Sequence, residues 1–341
     1  MTINAAFYAG NKSFTLEHIE AAPPAAGEIQ IEVAYCGICG TDMHVYHGNM
    51  DQRVTTHRVI GHEMSGRVSA IGDGVSGFET GQPVVVRPLD HCGDCPACNA
   101  GLKHICHNLK FLGLDTDGAF QQHWSVPAHT VHALPESLSL QHAALIEPVA
   151  VACHDVRMGR VVAGEDVVVI GGGPIGILNA MVARTAGAKV TVSEVNEHRL
   201  RIADSMGFDC VNPREQDLVE AINSRTGNKG ADVVFEVSGT QAGSDAMTSI
   251  AATRGRIVMV AIHAQPANVN LFQFFWRELE MIGARVYEPE DYEKAIDMVA
   301  SGGIDCERMI TDVQPLDSIN DAFRALDEDP TAMKSLVQVH S

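Results

Sequence analysis

The chain is narrowed most by one stretch, Val167-Val168-Val169-Ile170-Gly171-Gly172-Gly173-Pro174-Ile175-Gly176. Four β-branched residues in a row suit a strand buried on both faces, and glycines followed by proline suit a tight turn into a helix. Gly171, Gly173 and Gly176 have the spacing in which the first glycine makes the turn, the second lets a pyrophosphate approach the backbone, and the third lets helix and strand pack closely. Pro174 and Ile175 then open a helix whose N-terminus favours an anion. The apolar run from Val167 to Ala183 approaches membrane-spanning length, but the glycines and Pro174 interrupt it, and a buried strand passing into a buried helix explains it better.

The residues after the turn strengthen this reading. Lys189 to Ser193 is a second strand candidate and ends at Glu194, close to the distance of about 20 residues at which an acid binds the adenosine ribose of a dinucleotide. A carboxylate there repels the additional phosphate of NADP, so the expected cofactor is NAD. Arg199 and Arg201 soften that preference, although each is also explained as a solvated helix charge.

Further short apolar segments lie near Cys210, at Val233 to Val237, Ile257 to Ala261 and Met281 to Ala284, with helical stretches at Pro174 to Ala186, Glu197 to Met206 and Ala242 to Ala252. With the first two strands they predict the six-stranded, doubly wound parallel sheet of a Rossmann fold. Ligands bind beyond the carboxyl ends of such strands, which nominates Ser238 and Ala261 as further cofactor contacts. A helix near Asp291 to Ala300 and a closing strand at Ser335 to Val339 come after it.

The first 140 residues read differently. Ile29, Ile31 and Val33 alternate with polar residues, and Gly66 to Ala70 and Val84 to Val86 are strand-like, so this part is β-rich. It also holds six of the nine cysteines. Cys92, Cys95 and Cys98 are each separated by two residues, and Cys106 follows after seven more. Four thiolates this close suit a closed, structural zinc site; an iron–sulfur cluster ranks far lower. A second constellation comprises Cys36-Gly37-Ile38-Cys39-Gly40-Thr41-Asp42-Met43-His44, then Gly61-His62-Glu63, then Glu147-Pro148. Thiolate, imidazole and carboxylate are good zinc ligands, and three of them leave a position open for a substrate oxygen.

Charge and cysteine usage exclude several classes. Lys and Arg number 24 against 43 Asp and Glu, a formal charge of −19, which repels nucleic acid and anionic membranes. Residues 1 to 10 do not read as a secretory signal, and clustered thiols point to a reducing compartment, so a cytoplasmic location is expected.

Across essentially its full length the sequence resembles the zinc-containing medium-chain dehydrogenase/reductase family, with the Cys36 to His44 run, Gly61-His62-Glu63, the four-cysteine lobe and the glycine turn in that family's order. The resemblance implies a GroES-like, β-rich catalytic domain over 1–147 with a zinc lobe at about 90–107, a Rossmann domain over 148–285, and a return to the catalytic domain over 286–341. It implies two zinc ions per chain. The catalytic one falls to Cys39 and His62, with Glu63 and Glu147 sharing the carboxylate role, and the structural one to Cys92, Cys95, Cys98 and Cys106. Cys36 is then structural. Glu147, preceding Pro148, is expected in extended geometry at the mouth of a helix that Pro148 begins. A basic residue at the Arg199 position can contact the adenosine ribose. Thr41 resembles the family's proton-relay hydroxyl and His44 its solvent-facing end.

Glu-Pro at 147–148 is similar to sorbitol and butanediol dehydrogenases, which turns the substrate expectation toward polyols and vicinal diols oxidised to ketones with NAD. A threonine or aldose dehydrogenase of the same family is the alternative. A noncatalytic NAD-binding redox sensor has no need of Cys39, Thr41, His44, His62 and Glu63 together. Members of the family are commonly homodimers or homotetramers.

Overall fold

The computed structural model describes residues 1–329 and 331–340. The chain folds as two units, Met1–Glu147 with Tyr292–Ser341, and Pro148–Asp291. The second crossing therefore lies at 291/292, whereas the sequence alone places it at 285/286.

In the first unit, strand β1 (Glu28–Gly37) fully buries Ile29, Ile31 and Val33 on one face, as their alternation predicts. A short helix, α1 (Gly40–Tyr46), follows it at once. Strand β2 (Glu63–Ile71) runs antiparallel to β1, with Gly37 opposite Glu63 and Cys36 opposite Met64. Strand β3 (Pro83–Val86) extends the sheet on the far side of β2.

Helix α2 (Ile146–Met158) leads into the second unit. Glu147 therefore lies in the first helical turn and is not extended, which corrects the expectation from its place before proline. The four N–H groups of a first turn have no intrahelical partner, so Pro148 forfeits nothing there and the helix starts ahead of it.

The second unit runs β4 (Asp166–Ile170), α3 (Pro174–Thr185), β5 (Lys189–Ser193), α4 (Glu197–Ser205), β6 (Asp209–Val211), α5 (Leu218–Thr226), β7 (Ala231–Glu236), α6 (Gln241–Ile250), β8 (Ala251–Met259), α7 (Leu271–Arg277) and β9 (Glu280–Gly283). The six strands are all parallel in the order β6-β5-β4-β7-β8-β9. This is the doubly wound order in which β4, β5 and β6 form one mononucleotide half and β7, β8 and β9 the other. One face is sealed by Val168, Ile170, Val234 and Ile257 of the sheet against Ile222, Met247 and Ile250 of its helices; each such side chain contributes about 1.5–3 kcal/mol on burial. Helix α8 (Pro289–Ala300) carries the chain back, and β10 (Lys334–Gln338) pairs antiparallel with β1, Leu336 opposite Gly37. Among the described residues no helix is long and apolar enough to cross a membrane.

One buried acid makes the stability of the second unit depend on pH. Asp155 on α2 is 1% exposed and accepts a hydrogen bond from Asn179 Nδ2 of α3 at 3.0 Å. Burial pushes its carboxyl up to about 7, with Asn179 and His154 working against that and Asp291 adding to it. Because the folded state holds this proton more tightly than the unfolded chain, the contribution is fully present below about pH 4 and is lost as pH rises to about 7. Asp155→Asn keeps the shape and an acceptor for Asn179 and removes the ionisation. At pH 8 the variant is expected to exceed the native protein by roughly 2–4 kcal/mol in chemical denaturation, the two converging near pH 4. Equal stability at both pH values would rule out an ionising Asp155.

Candidate active site

The first unit assembles its site around the end of β1. Cys39 is the N-cap of α1, and its amide donates to Asp42 Oδ2 at 2.9 Å, an N3 carboxylate that ties the start of the helix. His62 and Glu63 come from the start of β2, across from Gly37. A Cβ on Gly37 would stand 2.3 Å from Glu63 Oε2, so any side chain there displaces the carboxylate. The glycine thus clears the space in which the carboxylate lies. The ligand-capable atoms of Cys39, His62 and Glu63 all fall within 4.8 Å of one another.

The electrostatics of this cluster suit a cation. His62 is 2% exposed and packs edge-on to Phe111 at 5.0 Å. Burial opposes its charging, yet Asp42, Cys39 and Glu147 together raise it to about 10. A point so rich in acceptors favours positive charge. His62 Nδ1 and Asp42 Oδ1 face each other at 3.6 Å, both buried and neither hydrogen-bonded. A ligating histidine commonly gives its second ring N–H to a carboxylate, and Asp42 stands ready for that role. Donor types, convergence and orphaned polar atoms all fit zinc.

Glu63 has a partner that gives no sign of itself in the sequence. Lys334, the first residue of β10 and 4% exposed, donates from Nζ to Glu63 Oε1 at 2.5 Å and to the Ile38 carbonyl at 3.2 Å. Burial opposes its charge, but Glu63, Cys39 and Glu147 hold its pKa above the usual lysine range. Glu147 is also buried and adds its field to His62 and Lys334, though it is not one of the three groups that converge. Thr41 is half-buried and His44 exposed, three residues apart on α1, and no hydrogen bond joins them among the described residues. Cys36 is fully buried, and burial pushes its thiol well up.

Cys92, Cys95, Cys98 and Cys106 form the second cluster. The sulfurs of Cys92 and Cys106 are 3.4 Å apart and those of Cys95 and Cys106 3.8 Å, against about 3.8 Å expected around one tetrahedral zinc. Amides point at them: Cys98 and His107 donate to Cys95 Sγ at 3.5 and 3.4 Å, and Asn108 to Cys106 Sγ at 3.3 Å. The Cys98 and His107 amides pull the Cys95 thiol down to about 6 despite its burial, while burial pushes Cys98 up to about 12. The apolar packing of the lobe is little more than Cys95, Cys98 and Cys106 with Ala97 and Leu109, so a metal suits it as a staple.

In the second unit Gly171 has φ +108°, in the left-handed region, and a Cβ on Gly176 would stand 1.9 Å from the Gly171 carbonyl oxygen. Gly173 caps α3, with Pro174 and Ile175 as its first residues. Glu194 folds back over the turn, accepting from Gly172 N at 2.7 Å, Val195 N at 2.6 Å and Asn196 N at 2.8 Å. Arg199 reaches the same turn, with Nη1 3.6 Å from a Cβ built on Gly173 and Nε buried without a partner. Ser238 and Ala261 follow the ends of β7 and β8, and the fully buried Glu236 gathers both segments. The turn fits a dinucleotide pyrophosphate. Asp42, Lys334 and Glu236 are the residues to which the sequence assigns no role; Asp42 alone leaves a local trace, as the N3 acid of a capping box.

Comparison with known proteins places the chain in a family. Residues 25–136 fit the alcohol dehydrogenase GroES-like domain and residues 174–301 the zinc-binding dehydrogenase family. The 2-dehydro-3-deoxy-L-galactonate 5-dehydrogenase of Pseudoalteromonas atlantica is 56% identical over 337 residues, 99% of each chain. The (2R,3R)-butanediol dehydrogenase of Bacillus subtilis superposes with a TM-score of 0.91 at 30% identity, covering 99% of this chain and 100% of that one. A Sinorhizobium meliloti protein solved with NADP bound does so with a TM-score of 0.93, also at 30% identity and with the same coverage. With two family models and a relative similar along nearly its whole length, the chain belongs to the zinc-containing medium-chain dehydrogenase/reductase family.

Proposed function

We propose that this zinc-type alcohol dehydrogenase oxidises a secondary hydroxyl of a polyhydroxylated acid or polyol to the ketone, with NAD as acceptor. The convergence of Cys39, His62 and Glu63 carries the reaction class. The substrate class rests on the likeness to the galactonate-type relative, which moves the expectation from simple polyols toward sugar acids. The preference for NAD rests on Glu194, whose oxygens are held by the Gly172 amide of the turn and the Val195 and Asn196 amides after β5 and oppose a further phosphate. Arg199 and the NADP in the Sinorhizobium meliloti protein are the opposing considerations.

A zinc held at this site would supply Lewis acidity that eases loss of the hydroxyl proton, and a bound NAD would supply the hydride acceptor. The chain's own groups do the rest. Cys39, His62 and a carboxylate, Glu63 or Glu147, hold the metal; Asp42 fixes the ring of His62. Lys334 offsets the charge of Glu63. Thr41 is given the relay role, accepting the substrate proton as its hydroxyl gives up its own, and His44, exposed on the same helix, that of releasing a proton to solvent. The four-cysteine lobe binds a second zinc and braces the fold. Thiol-based metal sites keep their ligands best in a reducing cytoplasm.

A homo-oligomer is supported by α7 and β9. Leu271, Phe272, Phe275, Trp276 and Met281 are all 49–76% exposed, and the outer edge of β9 pairs with no strand among the described residues. In a twofold antiparallel pairing about Ile282 and Gly283, Glu280 of one copy faces Arg285 of the other.

The test is reduction of NAD and of NADP on sugar acids, hexitols, 2,3-butanediol, threonine and glucose, with light scattering of the same sample for its mass. NAD-linked oxidation of a sugar acid or hexitol by an oligomer is expected. Activity confined to threonine or glucose would select the alternative, a preference for NADP would remove the role given to Glu194, and a monomer would remove that of β9.

A further inference from the structure

Glu236 is fully buried at the carboxyl end of β7, yet no step of the proposed chemistry uses it. Its Oε1 accepts from Ser238 N at 3.0 Å, from Ser238 Oγ, and from Gly239 N at 3.2 Å. Its Oε2 lies 3.3 Å from Gly239 N and 3.1 Å from His263 Nε2. The backbone does the same work on the other side: the Glu236 carbonyl accepts from Val260 N at 3.0 Å and Ala261 N at 3.1 Å. The 237–240 segment in turn abuts the glycine turn, where a Cβ on Gly171 would stand 3.1 Å from Ser238 N. One residue thus ties together the segments after β7 and β8 and sets them beside the turn after β4.

We propose that Glu236 and His263 form a positioning pair that fixes the two strand-end segments contacting the nicotinamide half of the cofactor. This rests on the proposed binding of a dinucleotide. In the strand order β6-β5-β4-β7-β8-β9 the adenosine half belongs with β4, β5 and Glu194, and the other half with β7 and β8. A burial this complete for a carboxylate is costly unless each oxygen is satisfied. Here His263, only 17% exposed at its side chain, supplies the last donor and carries the link to the 260–263 segment. His263 acts through the segments it holds and touches no reacting atom.

The pair is tested by the affinity of purified, zinc-loaded protein for NADH and, separately, for ADP-ribose, which lacks the nicotinamide. His263→Ala is expected to weaken NADH binding about tenfold, the effect of losing one hydrogen bond to a charged group, and to leave ADP-ribose binding unchanged. His263→Gln, which retains an N–H donor, is expected to recover part of the loss. NADH binding unchanged in His263→Ala overturns the proposal, as does equal weakening of both ligands, which marks general loosening of the unit. If the native protein binds ADP-ribose and NADH not at all, the dinucleotide reading itself fails, an outcome visible before any variant is made.

Discussion

Lys334→Met is expected to lower the stability of the first unit by about 3–5 kcal/mol, because it strands the carboxylate of Glu63 in a site closed to water. Glu63 is fully buried, and among the described residues Lys334 is the only Lys or Arg paired with it, His62 being the one other neighbour able to carry positive charge. The loss is measured by chemical denaturation, and a divalent cation changes it in a defined direction. With zinc present Glu63 has a second source of positive charge, so the deficit shrinks; after chelation it reaches its full size. The double variant Lys334→Met, Glu63→Gln is expected to recover most of the stability, since an amide needs no counter-charge. A single variant as stable as the native protein in the chelated state would mean that the buried pair carries no charge.

Cys39→Ala is expected to remove one zinc per chain and to lower dehydrogenase activity roughly a thousandfold or more, several kcal/mol of Lewis-acid assistance being lost with the metal. The zinc of the four-cysteine lobe should stay, so metal content falls by half, and Asp42 still caps α1. Cys36→Ala is the control three residues away. Its thiol is fully buried, turned to the Gly37 carbonyl at 3.6 Å, and outside the metal-capable cluster. That variant should keep both zincs and most activity. If Cys36→Ala loses the metal and Cys39→Ala keeps it, the ligand assignment drawn from the resemblance is reversed.

Local chemistry makes much of this legible. The six strands of the second unit lie close to where their apolar runs put them, because a strand buried on both faces has no choice but to be apolar. The exception is β8. It begins at Ala251, ahead of the expected Ile257, since its pairing with β7 shifts register between Ala231 and Val233 and the added residues carry no apolar run. Helix α1 is not foreshadowed, its seven residues being too few for a helical period and including Thr41, Asp42 and His44. Glu147 departs from its expected geometry because Pro148 falls in the first turn of α2, where its missing N–H forfeits no intrahelical bond and the helix starts ahead of it. Lys334 leaves no trace at all. A lone lysine before Ser-Leu-Val-Gln-Val looks like a solvated strand end, and only the pairing of β10 with β1 carries it to Glu63.

The Lys334–Glu63 contact joins positions 271 apart in sequence, with the whole of the second unit in between. During synthesis Cys39, His62 and Glu63 leave the ribosome well before Lys334, the residue that balances the charge of Glu63. Until Lys334 follows, the buried acid beside that thiol and imidazole lacks its lysine, so closing this site waits on a contact that is distant in sequence.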